Sequence, residues 1–153
     1  MQLIFLRHGT RSFGIGDAPL NSEGLEEAEE LSRHSALQEV TQIIASPKKR
    51  AQMTVTPLST KIGLNIQTEP LLDQMHDRES EKDFVSRVKT FLDQLCDQGG
   101  LEDKYLLCSH SDWLSAAMKV LPTDDSDLSY HLFHCAEFLA FEESEGLWRR
   151  LKV

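Results

Sequence analysis

Arg7, His8 and Gly9 stand together directly after the apolar run Leu3-Ile4-Phe5-Leu6. Two further polar signals follow apolar runs in the same way. Ser46-Pro47-Lys48-Lys49-Arg50 comes after Ile43-Ile44-Ala45, and Ser109-His110 comes after Tyr105-Leu106-Leu107-Cys108. In open α/β sheets the ligand crevice lies beyond the carboxyl ends of the strands. Three strand ends would therefore deliver Arg7, His8, Arg50 and His110 to one crevice. Guanidinium forks match phosphate oxygens bidentately and stabilise charge on a transferring phosphoryl group. An imidazole with one nitrogen free can attack phosphorus and carry the group covalently. His8 is the expected nucleophile, Arg7 and Arg50 the phosphate clamps, and His110 a second imidazole for the phosphoryl oxygens. Thr10, just after the triplet, is a further candidate for substrate binding.

A leaving alkoxide needs a proton, which calls for a carboxylic acid. The segment after residue 68 offers Glu69, Asp73, Asp77 and Glu79, with His76 as a further donor; Asp73 is the first choice. Glu79 suits the start of the following helix better. His34, His131 and His134 have no partners at ligand spacing, and the tract Thr123-Asp124-Asp125-Ser126-Asp127 lacks the glycine and closing glutamate of a calcium loop. No metal and no cofactor are expected.

These residues need elements to hold them. Residues 2–6 read as a buried parallel strand, 41–45 as a second, 64–68 as an alternating one and 104–108 as another. Asn21 or Ser22 caps a helix whose inner face is Leu25, Ala28 and Leu31, joined less regularly by Leu37. Pro47 opens a helix reaching about Ile62, with Ala51, Val55 and Leu58 inward; Pro57 should shorten or kink it, and Gly63 ends it. Ser80-Glu81-Lys82-Asp83 resembles a capping box ahead of Phe84, Val88, Phe91 and Leu95. Residues 111–121 form a last helix, and 133–141 and 147–153 two closing strands around Glu145-Gly146. Residues 9–20, with Gly9, Gly14, Gly16 and Pro19, form a loop over the crevice. The alternation predicts a three-layer α/β/α sandwich with a mostly parallel central sheet, one domain over 1–153.

Composition narrows the function classes. The chain has 153 residues, 40% apolar and 27% charged, with a net charge of −9. That balance argues against nucleic acid as a partner. No run approaches the ~20 apolar residues of a membrane span, and the N-terminus lacks a secretory signal. Cytoplasmic residence is expected, with Cys96, Cys108 and Cys135 as reduced thiols.

The ordered set Arg7-His8-Gly9, Leu20-Asn21-x-x-Gly24, Ser46-Pro47-x-x-Arg50-Ala51 and Ser109-His110 resembles the histidine phosphatase, or phosphoglycerate mutase-like, superfamily. The resemblance runs over about residues 2–120. It implies phosphoryl transfer through a phosphohistidine on His8, with Arg7, Arg50 and His110 binding the group. Gly14 stands where larger members carry a phosphate-binding asparagine, Ser109 where a glycine is usual. Over Leu71-Leu72-Asp73-Gln74, Asp73 or Gln74 takes the place of the acid. The short chain is similar to SixA-type phosphohistidine phosphatases. The expected activity is a phosphatase acting on a small phosphomonoester or a protein phosphohistidine. A mutase has too little chain to enclose and turn an intermediate. The alternative is a phosphate- or phospho-ligand-binding module of the same fold with impaired catalysis.

Overall fold

The computed structural model describes residues 1–153. In chain order the elements are β1 (Gln2–Arg7), α1 (Ser22–Arg33), α2 (Ser35–Gln38), β2 (Gln42–Ala45), α3 (Lys49–Ile62), β3 (Ile66–Thr68), α4 (Glu81–Gln98), β4 (Lys104–Ser109), α5 (Ser111–Val120), β5 (Phe138–Ser144) and β6 (Leu147–Arg150). Short 3-10 turns occupy Pro70–Leu72 and Ser126–Tyr130. All six strands join one sheet in the order β3-β2-β4-β1-β5-β6. The first four run parallel, and β5 and β6 close one edge antiparallel.

Side chains alternate across a strand, so successive residues of β1 feed opposite faces. Leu3 and Phe5 join the layer of α4 and α5 with Leu107, Trp113 and Phe141, whereas Ile4 and Leu6 join that of α1 and α3 with Val55, Leu58 and Leu106. Both faces are covered, which is why the centres of the interior parallel strands β1, β2 and β4 are apolar, whereas the edge strand β3 is largely exposed. The expected three-layer sandwich is the observed one.

The local signals hold in part. Asn21 caps α1 by accepting the N–H of Gly24, and Ser80 caps α4 by accepting that of Asp83. Gly63 ends α3 in the left-handed region at φ 73°. That helix starts two residues after Pro47 and continues through Pro57. Leu37 lies in the separate helix α2, where it is buried.

Leu25 departs from expectation. It is 48% exposed, and Gly24 takes the inward place. A Cβ on Gly24 would stand 2.1 Å from the carbonyl oxygen of Thr10, so α1 is pressed against the loop leaving β1. Residues 133–137 also depart, because β5 begins only at Phe138. Glu137 instead turns its N–H to the His134 carbonyl, and Ala136 sits at φ 57°. This irregular stretch reaches the crevice: the Arg7 N–H donates to the Glu137 carbonyl and the Ala136 N–H to that of His8.

Candidate active site

β1 and β4 pair in register, with Arg7 opposite Ser109, and the His8 N–H continues the ladder to the Ser109 carbonyl. One residue beyond the paired positions, His8 and His110 bring their rings within 5.2 Å, edge to face. On the other side of β4, the Ser46 N–H donates to the Cys108 carbonyl, and the first turn of α3 carries Arg50 to the same spot. His8, Arg50 and His110 are all buried. The three strand ends thus converge as their sequence positions require.

The hydrogen bonds set the imidazoles' tautomers. The carbonyl of Gly9 lies 2.7 Å from Nδ1 of His8 and can only accept, so Nδ1 carries the proton. Nε2 is left with its lone pair, and Nε of Arg50 donates to it at 3.2 Å. His110 is wired the other way round. Its Nδ1 accepts from Nη2 of Arg50 at 3.1 Å, and Nε2 lies 2.7 Å from Oγ of Ser46. Burial holds both rings neutral. It pushes His8 down to about 4, against the opposing pull of the Gly9 carbonyl, with Arg50, Arg7 and Arg11 adding to the depression. It pushes His110 to about 2, with Arg50 the next cause.

The turn beneath His8 is tightly held. Gly9 donates its N–H to Oγ1 of Thr54, whose hydroxyl in turn donates to the Arg50 carbonyl. A Cβ on Gly9 would meet Glu27 and the Gly24 carbonyl at 3.0–3.1 Å, so any side chain here would make these neighbours give by a few tenths of an ångström. Glu27 clamps the next residue, accepting both the N–H and the hydroxyl of Thr10. The Thr10 hydroxyl proton is therefore committed to Glu27.

Arg7 donates from Nη1 to the Phe133 carbonyl at 2.6 Å. Its Nε is the one buried side-chain nitrogen or oxygen atom with no hydrogen-bond partner. An unpaired buried guanidinium N–H is costly, and the residue that carries it lines the cleft. His110 gives α5 no side-chain cap, and an uncapped helix N-terminus also favours negative charge.

These groups open into a cleft of about 740 Å³ that Arg7, His8, Thr10, Arg50 and His110 all line. Asp73 does not line it. That side chain is buried behind His110, with Oδ1 3.7 Å from Nε2 of His110 and Oδ2 3.5 Å from Lys48 and 3.4 Å from His76. Gln74, the next residue, faces the cleft and accepts from Nη2 of Arg50 at 2.6 Å. Glu69 caps the turn at Pro70–Leu72, and Asp77 is exposed. Glu79 is held by Arg87, whose hydrogen bond drives it down to about 2.

Two carboxylates line the cleft that the sequence pattern did not single out, Glu23 and Asp112. Asp112 spends both oxygens on backbone, accepting from Met75 and Trp113 at 2.8 Å each. Its place two residues after His110 was an available signal. Glu23 has no side-chain hydrogen bond or ion pair; its only signal was its place in the first turn of α1. Arg11, Phe13, Met75 and Cys135 also line the cleft. Cys135 had no signal, because its segment reads as strand.

The N-terminal half of this arrangement is a known pattern. Residues 3–76 match the sequence profile of the histidine phosphatase superfamily (branch 1). Similar folds occur among solved structures. One is an Escherichia coli K-12 protein proposed to be an alpha-ribazole-5'-P phosphatase, with a TM-score of 0.86 at 18% identity, over 99% of this chain and 95% of that one. Another is a mutant phosphoserine phosphatase from Entamoeba histolytica in complex with phosphoserine, with a TM-score of 0.80 at 14% identity over 99% and 95%. A third is the mycobacterial glucosyl-3-phosphoglycerate phosphatase, with a TM-score of 0.78 at 16% identity over 97% and 96%. No curated protein matches the chain in sequence at a comparable level. Residues 3–76 thus resemble the histidine phosphatase superfamily in sequence, and the whole chain shares its fold with solved phosphatases. The chain matches these solved structures almost end to end. No helix is long and apolar enough to cross a membrane.

Proposed function

We propose that this protein is a phosphatase that works through a phosphohistidine on His8. The observation that carries the reading is the paired state of the buried site. A neutral imidazole presents the lone pair of Nε2 to the cleft, beside an Arg7 N–H that has no partner. A phosphoryl group bound there satisfies Arg7 and draws Arg50 off the imidazole. Nε2 of His8 then attacks phosphorus in line as the bond to the leaving oxygen breaks. Arg7 and Arg50 supply positive charge to the phosphoryl oxygens in the transition state. The leaving oxygen takes a proton from a cleft carboxyl group, for which the unpartnered Glu23 is best placed. Water then attacks the phosphohistidine, releasing inorganic phosphate and restoring His8.

The substrate is a small phosphomonoester or a protein phosphohistidine, acted on in the cytoplasm. The named activities of the structural neighbours, all directed at phosphorylated compounds, support hydrolysis as the reaction class. A second reading is a phosphate-binding module with impaired turnover. The burial of Asp73 behind His110, away from the cleft, favours it.

The test is turnover of an aryl phosphate and of a phosphohistidine protein, by the parent and by His8→Ala. The expected result is turnover by the parent, none by the variant, and an acid-labile, base-stable label on His8 from a phosphodonor. Equal rates for parent and variant would remove His8 as nucleophile. Phosphate binding by the parent with neither turnover nor label would establish the binding module.

A further inference from the structure

The guanidinium of Arg7 is aimed by a single hydrogen bond. Nη1 donates to the Phe133 carbonyl, and no other protein group accepts from this side chain. The acceptor lies in residues 131–137, which belong to no helix or strand. Whatever fixes the Phe133 carbonyl therefore fixes the direction of Arg7.

The same stretch meets the backbone of the site. The Glu137 carbonyl accepts the Arg7 N–H at 3.0 Å, and the Ala136 N–H donates to the His8 carbonyl at 3.2 Å. Ala136 adopts φ 57° to do so, a left-handed conformation that a residue with a Cβ keeps only where its surroundings hold it.

The group that holds the stretch is the carboxylate of Glu137. Its Oε2 accepts the His134 N–H at 2.6 Å, and its Oε1 lies 2.9 Å from Nε2 of His131. The Glu137 N–H returns to the His134 carbonyl at 3.1 Å, so these two residues are joined twice. The partners of the carboxylate flank Phe133, with His131 before it and His134 after it. The His131 ring also packs edge to face on that of Phe133, with centroids 4.9 Å apart. The buried Phe133 ring fixes the place of that residue in the core, and the clasp on its two sides fixes where its carbonyl points.

An ion pair in open solvent would restrain little. The His131 and Glu137 side chains are only 24% and 26% exposed, and one oxygen of Glu137 takes a backbone N–H, which restrains the chain itself. Neither residue lines the cleft, so the clasp reaches the site through Arg7 and the turn at His8.

Resting on the phosphatase reading above, we infer that Glu137 is a positioning residue for Arg7, clasping His131 and His134 so that the Phe133 carbonyl aims the guanidinium into the cleft. Glu137 touches no reacting atom. Its removal leaves Arg7 charged and present but unaimed.

The experiment follows Arg7 by NMR of the guanidinium nitrogens, with Arg7→Lys to assign its signals, and measures the affinity for inorganic phosphate. In the parent, Arg7 should rotate slowly and give separate Nη signals. In Glu137→Ala these should merge, as in a free arginine, and phosphate affinity should fall about tenfold. In the Arg7→Lys background, the same Glu137→Ala change should alter phosphate affinity by less than about twofold, since the two residues act as one unit. Separate Nη signals that persist in Glu137→Ala would overturn the proposal, as would a freely rotating Arg7 in the parent. Equal losses of phosphate affinity in the two backgrounds would also overturn it, because a residue that merely stabilises the fold acts whether or not Arg7 is present. Should Glu137→Ala fail to fold, His131→Ala removes one bond of the clasp and should shift the same signals in the same sense. A parent that neither binds phosphate nor turns over an aryl phosphate would count against the phosphatase reading alone, because the guanidinium signals still decide the role of Glu137.

Discussion

Nε of Arg50 donates its hydrogen to Nε2 of His8 at 3.2 Å. A buried guanidinium thus occupies the lone pair with which the imidazole would attack. Arg50 also reaches Nδ1 of His110 and the side-chain carbonyl of Gln74, which makes it the hub of the cleft. Arg50→Ala should lower kcat on an aryl phosphate by about 10²–10³-fold, the cost of losing a preorganised donor to transition-state charge. It should also raise the His8 pKa, because Arg50 is one of the charges that depresses it. Steady-state kinetics across pH would show both changes together.

The depressed His8 predicts the acid limb of the activity profile. An unperturbed histidine nucleophile would lose its lone pair as pH falls through about 6.5. Here the fall in kcat/KM, which reports the free enzyme, should come near pH 4, where His8 takes up its proton. A limb near 6.5 would show that the imidazole is not buried as described.

The same two rings predict a loss of stability in acid. Below pH 6.5 the unfolded chain protonates both histidines, while the folded chain keeps them neutral down to about 4 and 2. The unfolded state therefore binds more protons, and stability falls with pH across that interval. At pH 5 each ring should cost about 2 kcal/mol relative to neutral pH. Urea unfolding at pH 5 and 7.5 would measure the difference, which should shrink in His110→Gln.

Glu23 is open to test by leaving group. If it supplies the proton, Glu23→Gln should slow an alkyl phosphate by about 10²-fold or more. An aryl phosphate, whose leaving oxygen needs little help, should be nearly unaffected. A uniform drop on both would make Glu23 a binding group only.

Gly24 carries a stability prediction. Gly24→Ala would raise helix propensity, yet its methyl group would stand 2.1 Å from the Thr10 carbonyl. The overpacking should cost about 1–3 kcal/mol and more than offset the helical gain. Thermal unfolding should show a lower Tm, and phosphate affinity should fall with it, since the displaced residue follows the Arg7-His8-Gly9 turn.

The framework and the centre of the site were legible in the sequence for one reason. Strand ends are marked by apolar runs that stop, and Arg7-His8, Arg50 and Ser109-His110 follow such stops. Leu25 was misread because helical periodicity weighs side chains; it does not see that a neighbouring loop leaves room only for the hydrogen of Gly24. Residues 133–137 read as strand because Phe133, Ala136 and Phe138 are apolar, but their backbone groups are recruited by Arg7 and His8. The carboxylates were least legible. Glu23, Asp73 and Asp112 are of one chemical type, and their separation into cleft wall, buried partner of His110 and backbone anchor depends on tertiary contacts.

The in-register pairing of Arg7 with Ser109 has a consequence for how this chain tolerates change in length. Side-chain direction reverses with every residue along a strand. One residue inserted into β1 or β4 would leave strands able to pair and a sheet able to form, yet would turn one imidazole into the opposite helical layer. Length variation can therefore accumulate at the far ends of these strands and in the outer loops, while the span between each strand's core and its histidine is frozen.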